Sequence, residues 1–379
     1  REKKYSYLNR GDTNTIKWKE LKPTVPHYFF VKKDFLHLGS YYKFPGIQEI
    51  FLQSSSGVKT HRDHFVIGFT EEEIKQRMIV FTGGLSDEMV RQGLNLKDTH
   101  DFKLKEARDK LKKEDWTKSI IPYSYRPFDN RYICYRPELI DRDRYNVMQH
   151  FLKETLGLVA MRQYVYDPVK TYNYAFCTEN IIDDRYFISN RGTCTIFPLY
   201  LYKEKNKPEK HSLGSQMILF EPKTEYSIKT PNLSEKLIEQ LTKSFKKTPS
   251  PEQIFYYIYA VLHSNIYRTK YAEFLKIDFP RIPFTKDYKL FSKMFEYGER
   301  LVDLHLLKSP EIDPPLARFQ GKGDNKVEKL RHENTKLFIN KDQYFDGMES
   351  DVFEYQIGGY QVCEKWLKDR KDRKLSLED

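Results

Sequence analysis

Tyr123-Ser124-Tyr125-Arg126-Pro127-Phe128-Asp129-Asn130-Arg131-Tyr132-Ile133-Cys134-Tyr135-Arg136 is the stretch that sets one part of the chain apart from the rest. Tyr132 to Tyr135 is a short β-type run, and similar runs return at Leu156 to Met161, Tyr172 to Phe176 and Thr195 to Tyr202. A helix is expected over Arg142 to Glu154. The window 116–202 holds 12 of the 28 tyrosines and has 8 arginines against 3 lysines, whereas the remainder is Lys-rich. That composition marks a unit of strands, strand ends and loops, expected over residues 116–215.

Outward from it the patterns change. Residues 1–115 read as mixed strands and helices, with an aromatic-rich run at Val25 to Val31 and an apolar run at Phe65 to Phe69. Thr70-Glu71-Glu72-Glu73 is a capping box for a helix around Ile74 to Val80. Leu104, Ala107 and Leu111 share one face of a helix over Lys103 to Lys113. Lys203 to Leu213 is a Lys/Glu/Pro linker, and residues 216–379 read as mainly helical. Ser250-Pro251-Glu252-Gln253 places a capping Ser, a Pro at the first helical position and a Gln three residues on. Leu290, Met294, Leu301 and Val302 mark the next helix, and Val362, Trp366 and Leu367 the last; residues 311–335 read as a polar loop. The fold class expected is α+β: a strand-and-loop unit followed by a helical C-terminal unit.

The net charge of +11 and pI near 9.1 favour a polyanionic partner. The longest apolar stretch, Ile254 to Leu262, is far short of the ~20 residues that span a bilayer. Cys134, Cys177, Cys194 and Cys363 show no C-x-x-C spacing, which argues against a disulfide framework or zinc site and suits a reducing cytoplasm. A start at Arg1 reads as a piece of something longer.

Catalytic patterns are weak. Amino-methylation of DNA needs a Gly-rich loop for S-adenosylmethionine and an Asn/Asp-Pro-Pro-aromatic turn to hold the flipped base. Asp313-Pro314-Pro315-Leu316 lacks the aromatic, and Gly321-Lys322-Gly323 lacks a strand–helix frame. A metal-dependent nuclease needs an Asp and a Glu-x-Lys to hold Mg²⁺. Asp63 with Glu73-Ile74-Lys75 and Asp12 with Glu20-Leu21-Lys22 have tolerable spacing. Glu73, however, is better read as a capping residue, and the second segment has no apolar strand. The ten histidines form no H-E-x-x-H, and His305 reads as half-buried on an apolar helix.

Arginine forks suit guanine edges and phosphates, and polar side chains on strand ends suit base readout. Candidate DNA contacts are therefore Arg126, Asn130, Arg131, Arg136, Arg142, Arg144, Arg162, Tyr164, Asn190 and Arg191. Arg131 and Arg142 have carboxylates beside them in sequence (Asp129, Asp141, Asp143). Arg162 and Arg191 have none and are the preferred base readers. The opposing reading is that Arg and Asp simply pair and that the tyrosines are core.

Several runs carry a family resemblance. These are Gly57-Val58-Lys59-Thr60-His61-Arg62-Asp63, Pro127-Phe128-Asp129-Asn130-Arg131, Leu139-Ile140-Asp141-Arg142 and Cys194-Thr195-Ile196-Phe197-Pro198-Leu199-Tyr200. With them go Tyr257 to Ser264, Phe279-Pro280-Arg281-Ile282-Pro283, Gly359-Tyr360-Gln361-Val362 and Lys365 to Lys371. In this order they resemble the C-terminal specificity region of type ISP and related type IIG single-chain restriction–modification enzymes. The resemblance implies double-stranded DNA as partner. It also implies methyltransferase, nuclease and often helicase-like domains in the same polypeptide, with S-adenosylmethionine and Mg bound by those domains and no cofactor in this chain. Two other readings stand beside it: a self-contained Mg²⁺ nuclease using Asp63, Glu73 and Lys75, and a structural module coupling methyltransferase to motor.

Overall fold

The computed structural model describes residues 2–23, 28, 36–163, 172–189, 191–204 and 227–376. The run at Tyr132 lies in the strand Asp129–Cys134, which pairs antiparallel with Ile120–Arg126. Pro127 and Phe128 make the turn between them, and Phe128 takes a left-handed φ of 62°. That conformation disfavours a bulky side chain. The ring offsets the strain by packing edge-on against Phe176 and His305, with centroids 5.1 and 5.8 Å away. Ile67–Gly68 joins this sheet on one side and Ile181–Ile182, in parallel, on the other. A second four-stranded sheet is antiparallel, in the order Ser55–Ser56, Cys194–Pro198, Gly157–Met161, Ala175–Thr178. Its central strand is buried along its whole length. Both sheets draw strands from either side of residue 115, and one continuous core runs from Tyr41 to Val362.

Helices pack around these sheets where their apolar periodicity predicts. Thr70 accepts the Glu73 amide at the head of Glu71–Thr82, and the Glu73 carboxylate takes the Phe69 amide at 3.0 Å. Leu104–Leu111 buries Leu104, Ala107 and Leu111, and Arg108 with them. Arg108 donates to the carbonyls of Phe81, Gly83 and Leu85 at 2.6–3.0 Å and pairs with Asp87. It thereby satisfies carbonyls left open at the end of the helix Glu71–Thr82 and in the turn after it. The capping box at Ser250 is complete and opens Pro251–His263.

That helix lies against Tyr288–His305 so closely that a Cβ on Gly298 would overlap the Tyr256 carbonyl oxygen. Gly298→Ala is therefore expected to destabilise the chain by about 1–3 kcal/mol through overpacking, although alanine is intrinsically the better helix former by about 1 kcal/mol. Urea unfolding midpoints test this, and a stabilised variant would mean that the helices do not meet there.

Two local expectations are corrected, and one apolar run divides. The helix foreseen over Arg142 to Glu154 is a short turn of helix, Tyr145–Met148, followed by a 3-10 turn, because Arg144 before it is left-handed (φ 57°). Phe65 to Phe69 splits between the helix Asp63–Val66 and the strand Ile67–Gly68. Residues 311–335 contain two strands, Arg318–Gln320 and Arg331–Glu333. These pair with Tyr344–Asp346 and Lys336–Phe338 in a small antiparallel sheet. The first is exposed on both faces, so it carries no alternation of apolar residues to read. Val25 to Val31 falls outside the described residues apart from Tyr28, as does Lys203 to Leu213 beyond the strand Tyr200–Glu204.

The final helix, Val362–Asp369, is tied back onto the central sheet by charge. Arg131 bridges Asp129 and Asp369 at 2.6 and 2.7 Å, Arg370 reaches Asp129 at 3.2 Å, and Arg373 reaches Glu73 at 2.6 Å. All three guanidiniums stack on the Phe69 ring, 4.2–4.8 Å from its centroid.

Candidate nucleic-acid interface

Two segments build an open polar groove of about 800 Å³ on the face where the sheets meet. One is the run Gly57 to His64. Val58 donates to Ile182 at 2.7 Å and accepts from the Asp184 amide at 2.9 Å, so this segment is zipped onto the end of the strand Ile181–Ile182. Gly57 allows the approach: a Cβ there would collide with the Asp183 backbone. The other wall is the loop from Asp183 to Thr193, and Lys59 also exchanges two backbone hydrogen bonds of 3.0 Å with Arg142. Beneath the rim, buried Arg62 pairs with Asp141, donates to the Leu139 carbonyl at 3.2 Å and stacks on Phe102 at 4.3 Å. His61 meets the same carboxylate from outside.

The floor is a buried ion pair. Arg126 donates to Asp183 at 2.7 Å, Tyr123 donates its hydroxyl at 2.9 Å, and the Arg185 amide completes the shell at 2.9 Å. Burial works against the Arg126 charge, but the Asp183 carboxylate more than offsets it, so the guanidinium stays protonated. At the rim, burial pushes the Asp184 carboxyl up while Lys59 and Arg185 pull it down. Exposed Arg185, half-buried Lys59 and His61 (half exposed at 51%) thus line one groove, with Asp184, Ser189 and Thr193 supplying acceptors. Exposed Arg142 adjoins it through its backbone pairing with Lys59, and exposed Arg191 precedes the lining residue Gly192. Such a mixture can fork phosphates and bond base edges.

Of the residues expected to contact DNA, Arg142 adjoins this groove through its backbone pairing with Lys59, and Arg191 precedes the lining residue Gly192. Arg126 lies under the groove, buried. Arg131 is 10% exposed, sandwiched between Phe69 and Tyr125 and held by two carboxylates. Arg136 is buried against Glu114 and Glu138. For these three the expectation of an outward-facing role is corrected: a guanidinium leaving water needs a countercharge, and each has one. Asn130 is exposed on its strand and accepts from Ser124 at 2.8 Å. Arg144 is half-buried, its Nε without a partner. Arg162, which has no acid beside it in sequence, is 67% exposed and pairs with Asp278 at 2.9 Å. Tyr164 and Asn190 lie outside the described residues.

Sequence reasoning missed Lys59, His61 and Arg185 as site residues. Arg185 had a signal, since it follows the end of a strand as the chosen arginines do.

The nuclease geometry finds little support in the placement of its residues. Asp63 and Glu73 line one small cavity of about 220 Å³, but Arg77, Arg131 and Arg373 line it too and place positive charge where a cation would sit. Lys75 is turned to Glu71 on the outer face of its helix. Among the described residues no group of three or more His, Cys, Asp or Glu could hold a metal ion. The residues near the methyltransferase-like turn do not fit a cofactor either. Leu316, where the aromatic would stand, is 92% exposed. Gly321 has φ +93° and packs against the Asp342 carbonyl, so its glycine serves a turn. Among the described residues no helix is long and apolar enough to cross a membrane.

Comparison with known proteins places this mixed α/β scaffold and its polar groove. The chain belongs to the type ISP C-terminal specificity domain family, whose profile matches residues 49–379. No curated protein matches the sequence. Three solved structures share the fold, each at 19% identity. The ATP-dependent type ISP restriction-modification enzyme LlaBIII bound to DNA aligns with a TM-score of 0.63 over 87% of this chain and 21% of that one. The cryoEM structure of the DrdV–DNA complex aligns at 0.71 over 98% of this chain and 37% of that one. A nuclease-deletion mutant of the type ISP enzyme LlaGI in complex with a DNA substrate mimic aligns at 0.65, over 98% and 33%. This chain therefore spans between a fifth and two fifths of the length of these proteins.

Proposed function

We propose that this chain reads the sequence of double-stranded DNA for a restriction–modification enzyme, with the groove between Gly57 to His64 and Asp183 to Thr193 as the reading surface. The observation that carries this is the open groove lined by Lys59, His61 and Arg185, with exposed Arg142 and Arg191 next to lining residues, in a member of a specificity-domain family. The 116–215 unit would supply most base contacts. The segment 216–379 would support it, with Lys236, Lys243, Lys246 and Lys247, on and just after the helix Glu235–Phe245, placed to grip phosphates. Adenine-N6 methylation and cleavage would belong to other domains of the same cytoplasmic polypeptide, which would bind S-adenosylmethionine and Mg. Kinship with type IIG enzymes is part of the same proposal and rests on the sequence runs.

Truncating a base reader should cost about 1–3 kcal/mol at one position of the target and relax discrimination there, whereas losing a phosphate contact weakens every sequence alike. Arg142→Ala and Arg191→Ala are the variants to measure. Binding is compared on a target selected from a random duplex pool and on its single-base variants. At least one of the two should lose discrimination at one position. If both bind every duplex as the parent does, the reading surface lies elsewhere.

A further inference from the structure

A second polar cavity lies away from the groove. The ends of the helices Pro251–His263 and Tyr288–His305 bring His263 and His305 together, with ring centroids 5.3 Å apart. Arg268, in the following helical turn Asn265–Lys270, joins them, and the hairpin Gln356–Ile357 with Tyr360–Gln361 borders the space. The cavity measures about 300 Å³, ample for a tetrahedral anion with water, given about 30 Å³ per water.

Arg268 donates Nε to the Leu262 carbonyl at 2.6 Å. Among the described residues no carboxylate pairs with it and no acceptor meets its Nη groups; Glu354 lies at the exposed rim. Burial depresses the Arg268 pKa, and the groups that work against this are the phenols of Tyr172, Tyr355 and Tyr259. Arg268 is half-buried, and a partly desolvated guanidinium without a countercharge favours an anion beside it.

The histidines do not repel an anion, nor do they add charge. Burial lowers both, His305 to about 4, and Arg268 lowers them further. The Tyr259 hydroxyl, its pKa held well above the usual value by burial, meets Nδ1 of His305 and holds the ring from that side. Phe176, stacked at 4.7 Å, and Phe128 fix the plane of that ring.

We infer that this cavity binds a phosphate-type oxyanion, with the Nη groups of Arg268 as the charged fork and the His305 imidazole as a second contact. The oxyanion is either a phosphodiester of bound DNA or a free phosphate. The site does not depend on the groove reading, since it can be tested without DNA.

The test is a titration of the full chain with inorganic phosphate, followed by NMR of the histidine Cε1–H signals. Those of His263 and His305 should shift saturably, while His100, with its side chain 98% exposed, should not. Arg268→Gln should weaken phosphate binding at least tenfold and His305→Gln a few-fold, with thermal unfolding checking that each variant is folded. Absence of a saturable shift in the parent chain overturns the site even if Arg268→Gln fails to fold. So does a folded Arg268→Gln that titrates like the parent. Once binding is established, DNA affinity identifies the source. A sequence-independent loss in Arg268→Gln, with a shallower salt dependence, assigns the anion to the DNA backbone. Unchanged DNA affinity with phosphate binding lost assigns it to a free anion.

Discussion

Asp183→Ala is expected to remove about 3–5 kcal/mol of folding stability, the cost of leaving one member of a buried ion pair uncompensated. Asp183 and Arg126 are each under 10% exposed, and the same carboxylate also accepts from Tyr123 and the Arg185 amide. Removing it strands a charge and a phenol in the floor of the groove. Replacing both partners by apolar residues, as in Arg126→Met with Asp183→Leu, removes the charges together and should cost less than the single change. Urea unfolding of the parent, both single variants and the double variant gives the coupling energy. A loss under 1 kcal/mol for Asp183→Ala would mean that the pair is open to water.

Gly57→Ala should damage stability and recognition together. The added methyl would meet the Asp183 carbonyl, which is backbone and cannot swing aside. The two walls of the groove must then part. Overpacking of this kind costs about 1–3 kcal/mol, and DNA affinity should fall with it because Lys59 and Arg185 are displaced in opposite directions. Gly84→Ala is the matched control, since nothing lies within 4 Å of the place its Cβ would take. Equal DNA binding by Gly57→Ala and Gly84→Ala would remove the Gly57–Asp183 contact from any role in shaping the interface.

What could be read in advance was local. The capping signals at Thr70 and Ser250 and the periodicity of Leu104, Ala107 and Leu111 act within a few residues, and each element formed as its sequence predicts. The strands Asp129–Cys134 and Gly157–Met161 were visible for the same reason. Pairing over distance was not visible. Arg131 finds Asp369 across 238 positions, Arg162 finds Asp278 across 116, and Arg126 finds Asp183 across 57. No neighbour in sequence announces such partners, so arginines chosen by composition divided into buried struts and exposed contacts only once folded. Arg185 lies just past the two-residue strand Ile181–Ile182, too short a run to stand out in the sequence, and its neighbour Asp184 is itself partly buried beside Lys59.

The division between struts and contacts has an evolutionary side. Arg126, Arg131 and Arg370 are locked to carboxylates under the surface, and the latter two tie the last helix to the central sheet. Ser189, Arg191 and Thr193 stand on a loop outside that lattice. Residues on such a loop can be exchanged without disturbing the supports beneath it. A lineage could thus alter the groove one substitution at a time while the framework persists. Drift should gather at the rim, and the buried charges should change only in pairs.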